Sequence, residues 1–247
     1  MANYGSFSDE WYVNMNLGTE MALPSGRESV LHYFEQVQRR YPKMSNFYSR
    51  ENNEFVLEEE KDAGSYRWVS IESKRINSGV LNPETFDDAV EQHRAVLELV
   101  PFELSVSPLD CESLSVMLGF DFSCKGNHND VLMEAVGISP GLEKFGALPY
   151  GKVVSHEPAI QFALDEECRT QCRISFESRT TAFQIRSGEY GDEQLSVYMT
   201  VRRFESLQAG QNYSAEFARL SGLARDLIDE FLIDQVLRPL QTAIAIR

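Results

Sequence analysis

Histidine, cysteine and tryptophan are scarce in this chain, and basic charge is outnumbered. Four histidines, four cysteines and two tryptophans occur in 247 residues. So few cysteines in a chain this long do not make a disulfide framework, which points to a reducing, cytoplasmic setting. Lysine and arginine number 23 against 38 acidic residues, a formal net charge of −15. Phosphate backbones and anionic membranes are bound through positive patches. The adjacent pairs Arg39-Arg40 and Arg202-Arg203 are not embedded in longer basic runs, so nucleic acid is not an expected partner. Long apolar runs are missing as well: nothing approaches the ~20 residues of a membrane helix. Met1 to Asp9 is polar and lacks the apolar core of a secretion signal. There is no Gly-x-Ser-x-Gly elbow, no His-Glu-x-x-His and no phosphate loop, so catalysis is not expected.

What is present is patterning. Trp11, Val13, Met15 and Leu17 alternate with polar neighbours, the period of a half-buried strand. Ser25-Gly-Arg-Glu28 has the form of a capping box and predicts a helix that carries Val30, Leu31, Phe34 and Val37 and stops before Pro42. Two strands are expected near 54–59 and 66–76, with a hairpin turn at 62–65. Asn82-Pro83-Glu84 predicts the start of a second helix. Beyond Pro101 the plan recurs: a strand over 115–124, a short helix over 129–136, and a Gly- and Pro-rich loop to 151. Further strands fall in 152–164, 172–186 and 194–204, and a long helix over about 214–244 carries Pro239 as an expected kink.

The recurrence extends to residues. Phe55-Val-Leu-Glu-Glu-Glu60 resembles Phe162-Ala-Leu-Asp-Glu-Glu167, Ser70-Ile-Glu-Ser-Lys74 resembles Ser175-Phe-Glu-Ser-Arg179, and Tyr12 to Leu17 pairs with Met117 to Phe122. Segments in the same order at nearly constant offset suggest a tandem duplication. The expected fold is therefore α+β: two strand–helix–hairpin–helix units, residues 1–105 and 106–247, the second with an extra strand, either separate or fused. The sheet would be mainly antiparallel with helices on one face, and a long C-terminal helix would close the chain. Strand alternation puts Ser70, Glu72 and Lys74 on the face away from the core, and likewise Ser175, Glu177 and Arg179. These two rows are candidate ligand contacts; an ordinary wetted sheet face would look the same.

Tyr41-Pro42 at a helix end, a hairpin, Pro83-Glu-Thr-Phe86 opening a helix, the strand Ser115 to Phe122 and the closing helix Phe217 to Leu240 follow one another in an order that resembles a known family. It is an uncharacterised, sporadically distributed family of bacterial proteins of about this length. The resemblance implies a bacterial protein and carries over no functional residue.

Two ligand-like pairs occur, Cys124-x-x-x-His128 and Cys168-x-x-x-Cys172. Four such ligands could hold a structural zinc if the pairs converged, whereas cysteine is also a common buried apolar residue. His93 lies on the apolar stripe of its helix, as a satisfied core histidine does. The acidic runs 58–60 and 165–167 read more readily as solvated turns than as acid–base pairs. The end of the closing helix, from Val236 to Ile246, is apolar enough to protrude and join a partner or a second copy. The expectation is a non-catalytic binding or assembly protein that uses an inter-half groove or this terminal helix, and that meets a protein partner or itself rather than a membrane. The alternative is a metal-dependent protein built on Cys124, His128, Cys168 and Cys172.

Overall fold

A computed structural model describes residues 3–50, 54–61, 64–208 and 210–246. The elements run β1 (Glu10–Thr19), α1 (Arg27–Arg40), β2 (Asn46–Arg50), β3 (Glu54–Glu58), β4 (Tyr66–Ile71), β5 (Arg75–Leu81), α2 (Phe86–Glu103), β6 (Cys111–Lys125) and α3 (His128–Val136). There follow the short α4 (Pro140–Glu143), β7 (Ala159–Ala163), β8 (Thr170–Glu177), the short α5 (Ala182–Ser187), β9 (Asp192–Phe204) and a C-terminal helix. All nine strands form one antiparallel sheet in the order β2-β3-β4-β5-β1-β6-β9-β8-β7. The long helices lie on one face, with α2 and α6 (Tyr213–Leu227) packed together over the centre and α1 and α3 outside them.

The core follows from strand alternation. Trp11, Val13, Met15 and Leu17 of β1 are buried on the helix side, as are Leu114, Val116, Leu118 and Phe120 of β6 and Leu195, Val197, Met199 and Val201 of β9. Phe217, Leu220 and Ala224 of α6 close over them. Burying one such side chain contributes about 1.5–3 kcal/mol. His93 is the satisfied core histidine expected: its ring bonds Ser78 Oγ at 3.0 Å and the Val13 carbonyl at 3.1 Å. Burial pushes its pKa down to about 3, so it stays neutral.

Several local expectations are corrected. The Ser25 capping box does not form, because the helix begins one residue later than the motif requires: Gly26 is the cap, with no side-chain hydrogen bond. Helix α2 is capped by Thr85, whose side chain accepts from the Asp88 N–H, and not by Asn82. It runs through Pro101 to Glu103, since a proline in a last turn removes one hydrogen bond without ending the packed face. The extra strand falls in residues 1–105 and not in the second half: four described strands follow α1, with β2 additional, and the expected strand over 66–76 folds back at 72–74 into β4 and β5. The expected turn over 62–65 includes Asp62 and Ala63, which lie outside the described residues. The strand expected over 172–186 ends at Glu177, and Ala182–Ser187 is a helix with a Thr181–Gln184 capping box.

Pro239 neither splits nor sharply ends the closing helix. A π-helical segment, Ile228–Leu237, precedes α7 (Arg238–Ala245), and the Arg238 N–H reaches back five residues to the Ile233 carbonyl. A wide turn at this point brings a residue without an N–H into the helix, a usual use of π-segments. The end of this helix does not protrude. Leu237, Leu240 and Ala243 are buried, α7 packs on α3, and Gln241 donates to the Ser6 carbonyl at 3.1 Å.

On the face away from the helices, two glycines make room for aromatic rings. A Cβ on Gly79 would lie 2.2 Å from Trp68 Nε1, and one on Gly119 would lie 2.2 Å from the Tyr12 ring. Each ring therefore lies flat on the neighbouring strand. Gly79→Ala is expected to lift the Trp68 indole and shift its fluorescence. It should also lower stability by about 1–3 kcal/mol in urea unfolding, the usual cost of overpacking.

Candidate ligand-binding site

Helices cover one face of the sheet, and the centre of the other face is a polar hollow of about 390 Å³. Its floor is built from consecutive outward positions of neighbouring strands. Register places Asn77 of β5 opposite Asn16 of β1, Asn16 opposite Ser115 of β6, and Ser115 opposite Arg202 of β9. One step along, Trp68 faces Gly79, Gly79 faces Asn14, Asn14 faces Met117, and Met117 faces Thr200. Asn16 donates to the Asn77 amide oxygen, and Asn77 donates to Ser70 Oγ at 3.2 Å and to Glu72 Oε1 at 2.9 Å. The side chains of Asn14, Ser113, Ser115 and Thr200 make no hydrogen bond to another described residue. A hollow of this size is at the small end of the range for small-molecule sites.

Of the two sequence-derived rows, the alternation is as expected but the rows do not meet. Ser70 is on β4 and Ser175 on β8, with β5, β1, β6 and β9 between them. Five strand spacings amount to about 24 Å. Ser70 and Glu72 reach the hollow only through Asn77. Lys74 sits in the turn between β4 and β5 and donates to the Glu20 carbonyl at 2.6 Å. At the other end, Glu177 accepts from the Tyr198 hydroxyl at 2.7 Å, and Arg179 donates to the carbonyl and side chain of Gln194 at 3.1 and 3.2 Å. Ser175 lies beside Tyr198. These residues border a second polar cluster, around Asp121. Asp121 and Ser196 face each other across β6 and β9, and Oδ1 of Asp121 and Oγ of Ser196 are buried there. Burial raises the Asp121 pKa, against the nearby Arg179 charge.

The four candidate metal ligands do not converge. Cys124 is at one end of β6, while Cys172 faces Val201, which faces Val116. Eight residues along a strand is about 27 Å. His128 is turned inward: Nε2 meets the Cys124 carbonyl at 3.2 Å and Nδ1 accepts from the Arg179 N–H at 3.2 Å. Cys168 is exposed in a turn. Among the described residues no group of three or more His, Cys, Asp or Glu could hold a metal.

No protein-family model, no curated protein and no solved structure matches the chain. The site is therefore read from its own chemistry. The sequence reading passed over Asn14, Asn16 and Asn77, although Tyr12-x-Asn14-x-Asn16 already places them together on the polar side of β1. It also treated Arg202-Arg203 as one pair. Alternation separates them: Arg203 is buried against Glu216, with 3.4 Å between Nε and Oε1, whereas Arg202 stands on the open face.

A larger hollow of about 720 Å³ lies under the 137–153 segment and is lined mainly by Ile138, Leu142, Phe145, Leu148 and Met133. Asn127, Asp130, Glu143, Lys152 and Tyr190 line it too, but its surface is mainly apolar, and the open-face hollow is the more polar of the two.

Two outcomes test this description. Cys168 alone should react with a thiol reagent in the folded protein. Burial raises the thiol pKa of Cys111 to about 12 and of Cys172 to about 11, so these should wait for unfolding, as should buried Cys124. A carboxyl whose pKa is raised by folding costs stability where it is ionised. That cost is absent well below the ordinary value of 3.8 and complete above the raised one. Asp121→Asn should therefore raise Tm by a few degrees at neutral pH, with the gain vanishing in acid.

Proposed function

We propose that the protein is a non-catalytic binding protein that takes a small ligand in the hollow on the open face of its sheet, at the seam between two duplicated units. One observation carries this reading: Asn14, Ser113, Ser115 and Thr200 crowd the seam with hydrogen-bonding groups whose side chains have no hydrogen-bond partner among the described residues. A polar sheet face can simply be wet. Here, however, the groups line a concavity, and the Trp68 ring lines it with them.

Duplication is supported by strand order. Outward from the β1–β6 seam, one side reads β1, β5, β4, β3, β2 and the other reads β6, β9, β8, β7. The three pairs of similar segments fall on matching strands: β1 with β6, β3 with β7, and β4 with β8. Helices α1 and α3 correspond, as do α2 and α6. The seam is thus the pseudo-twofold position, where a duplicated fold brings two copies of one strand side by side. The second unit has no counterpart of β2 among the described residues. A cytoplasmic location and a protein or self partner are further parts of this proposal. No described helix is long and apolar enough to cross a membrane.

The test is a thermal-shift screen of purified protein against small molecules of varied charge, with native mass spectrometry of any hit. At least one class should raise Tm. The double variant Asn16→Leu, Asn77→Leu should weaken the hit about tenfold, roughly 1.4 kcal/mol, while remaining folded. A screen without hits in any class, or hits indifferent to that variant, would sink the reading.

A further inference from the structure

The protein carries an excess of acid, and most of its arginines are matched. Arg40, Arg50, Arg67, Arg169, Arg179, Arg203, Arg219, Arg225 and Arg238 each lie within ion-pair distance of a carboxylate. Arg27, Arg39, Arg75, Arg94, Arg173, Arg186 and Arg202 do not, and three of these, Arg75, Arg173 and Arg202, form one group. None of these three side chains makes an ion pair or a hydrogen bond with another described residue. They share the open face of the sheet, although they come from three strands.

Register brings them together. Gln171 of β8 faces Arg202 and Arg173 faces Thr200, so Arg173 and Arg202 are diagonal neighbours. Arg75 of β5 faces Gly18, which faces Ser113, which faces Phe204. It approaches from the opposite side, over Gly18 and Ser113, with the Glu112 carboxylate lying above Gly18. The Arg202 guanidinium stands 5.7 Å from the Phe204 ring centre, which helps to hold it over the hollow. Burial lowers the Arg202 pKa, and the charges of Arg75 and Arg173 lower it further; Glu112 is the acid that opposes them. One carboxylate does not neutralise three guanidiniums. A net positive cluster is thus assembled in a chain of net charge −15.

Arg75 and Arg202 line the same hollow as the Trp68 ring, and Arg173 lines a smaller one of about 160 Å³ beside it that shares Thr200, Arg202 and Phe204. One side of the indole rests on Gly79, and the half-exposed other side is available for stacking. The amides of Asn14, Asn16 and Asn77 lie between ring and arginines. We propose that this face binds a small phosphate-bearing ligand of nucleotide size, its phosphates held by Arg75, Arg173 and Arg202 and its planar group laid on Trp68. This specifies the ligand of the open-face site and holds only if that site is real.

Phosphate fits better than a single carboxylate, because several guanidinium forks need several acceptor oxygens. A small ligand fits better than a polymer. The cluster is fenced by Glu72 and Glu112 on one side and by Glu10, Asp121 and Glu177 on the other. A long phosphate backbone leaving the hollow in either direction would meet these carboxylates.

The experiment titrates the full chain separately with ATP, inorganic pyrophosphate, adenosine and a single-stranded oligothymidylate, by calorimetry and by Trp68 emission. Trp11 is buried and serves as a constant background. ATP should bind saturably, more weakly at higher salt, and perturb Trp68. Pyrophosphate should bind without that perturbation, and adenosine should bind at least about tenfold more weakly than ATP. The pair Arg75→Gln, Arg202→Gln should weaken ATP at least about tenfold with Tm unchanged, since neither side chain forms a hydrogen bond or ion pair with a described residue, whereas Lys43→Gln should not. Trp68→Leu should weaken ATP and spare pyrophosphate. Failure of ATP and pyrophosphate to bind at millimolar concentration would overturn the inference. So would arginine variants that bind as the parent does, or a clear preference for the oligonucleotide. A neutral ligand that depends on Asn16 and Asn77 and ignores the arginines would overturn the phosphate assignment and leave the open-face reading standing.

Discussion

The ladder between β1 and β6 is the interaction on which the rest of the molecule depends. It joins Glu10–Thr19 to a strand that begins a hundred residues later, in antiparallel register from Glu10↔Asp121 to Leu17↔Leu114, with an irregularity at Gly18 and Thr19. Without it there would be two smaller sheets, each with a bare edge. With it the sheet is continuous, and α2 and α6 meet over the seam, where the His93 ring meets the Phe217 ring edge-on at 5.5 Å between centroids. The same ladder sets the other face. Register, once chosen, decides which polar residues of β5, β1, β6 and β9 stand in a row. A slip by one residue would turn Asn14 and Asn16 into the core and Val13 and Met15 into solvent.

That coupling explains why buried polar groups are concentrated near the centre. Gln92 and His93 bond Ser78 under α2, and Gln92 also accepts from Arg67, which pairs with Asp88 at 2.6 Å. Arg203 and Glu216 form a buried pair across β9 and α6, with Arg219 on the same carboxylate at 2.7 Å. Leaving one partner of such a group unpaired in the interior costs several kcal/mol, so these contacts restrict how the helices can be placed. The open face has fewer such internal bonds. Asn16, Asn77 and Glu72 bond one another, while Asn14, Ser115 and Thr200 and the three arginines are left for solvent or ligand.

The two faces thus differ in kind, and the proposed ligand follows from that difference. On the helix side Arg67 pairs with Asp88, and Arg203 and Arg219 share Glu216. Charge on the open side is gathered and left unneutralised, beside an aromatic ring held flat by a glycine. The arrangement is suited to recognising a small anion with a planar part.

Much of the fold was legible from local physics. The alternation in Trp11 to Leu17, the apolar stripe of α2 and the long closing helix are short-range patterns, and each determined its element. The alternation also placed Ser70, Glu72, Ser175 and Glu177 correctly on the outward face. Other local signals failed where neighbours decide: the cap of α1, the reversal at 72–74, and the path of the helix through Pro239, which a wide turn accommodates because α7 packs on α3. Strand order was not readable, because pairing partners are chosen by burial of whole faces, and no residue states which strand lies beside it. For that reason the sequence could name two polar rows but not the five strand spacings between them. It could name four metal-like ligands but not their separation along β6 and β8. The meeting of Arg75, Arg173 and Arg202 belongs entirely to the tertiary structure. Their convergence depends on the register of five strands, and a chain read one residue at a time records their charge without their proximity.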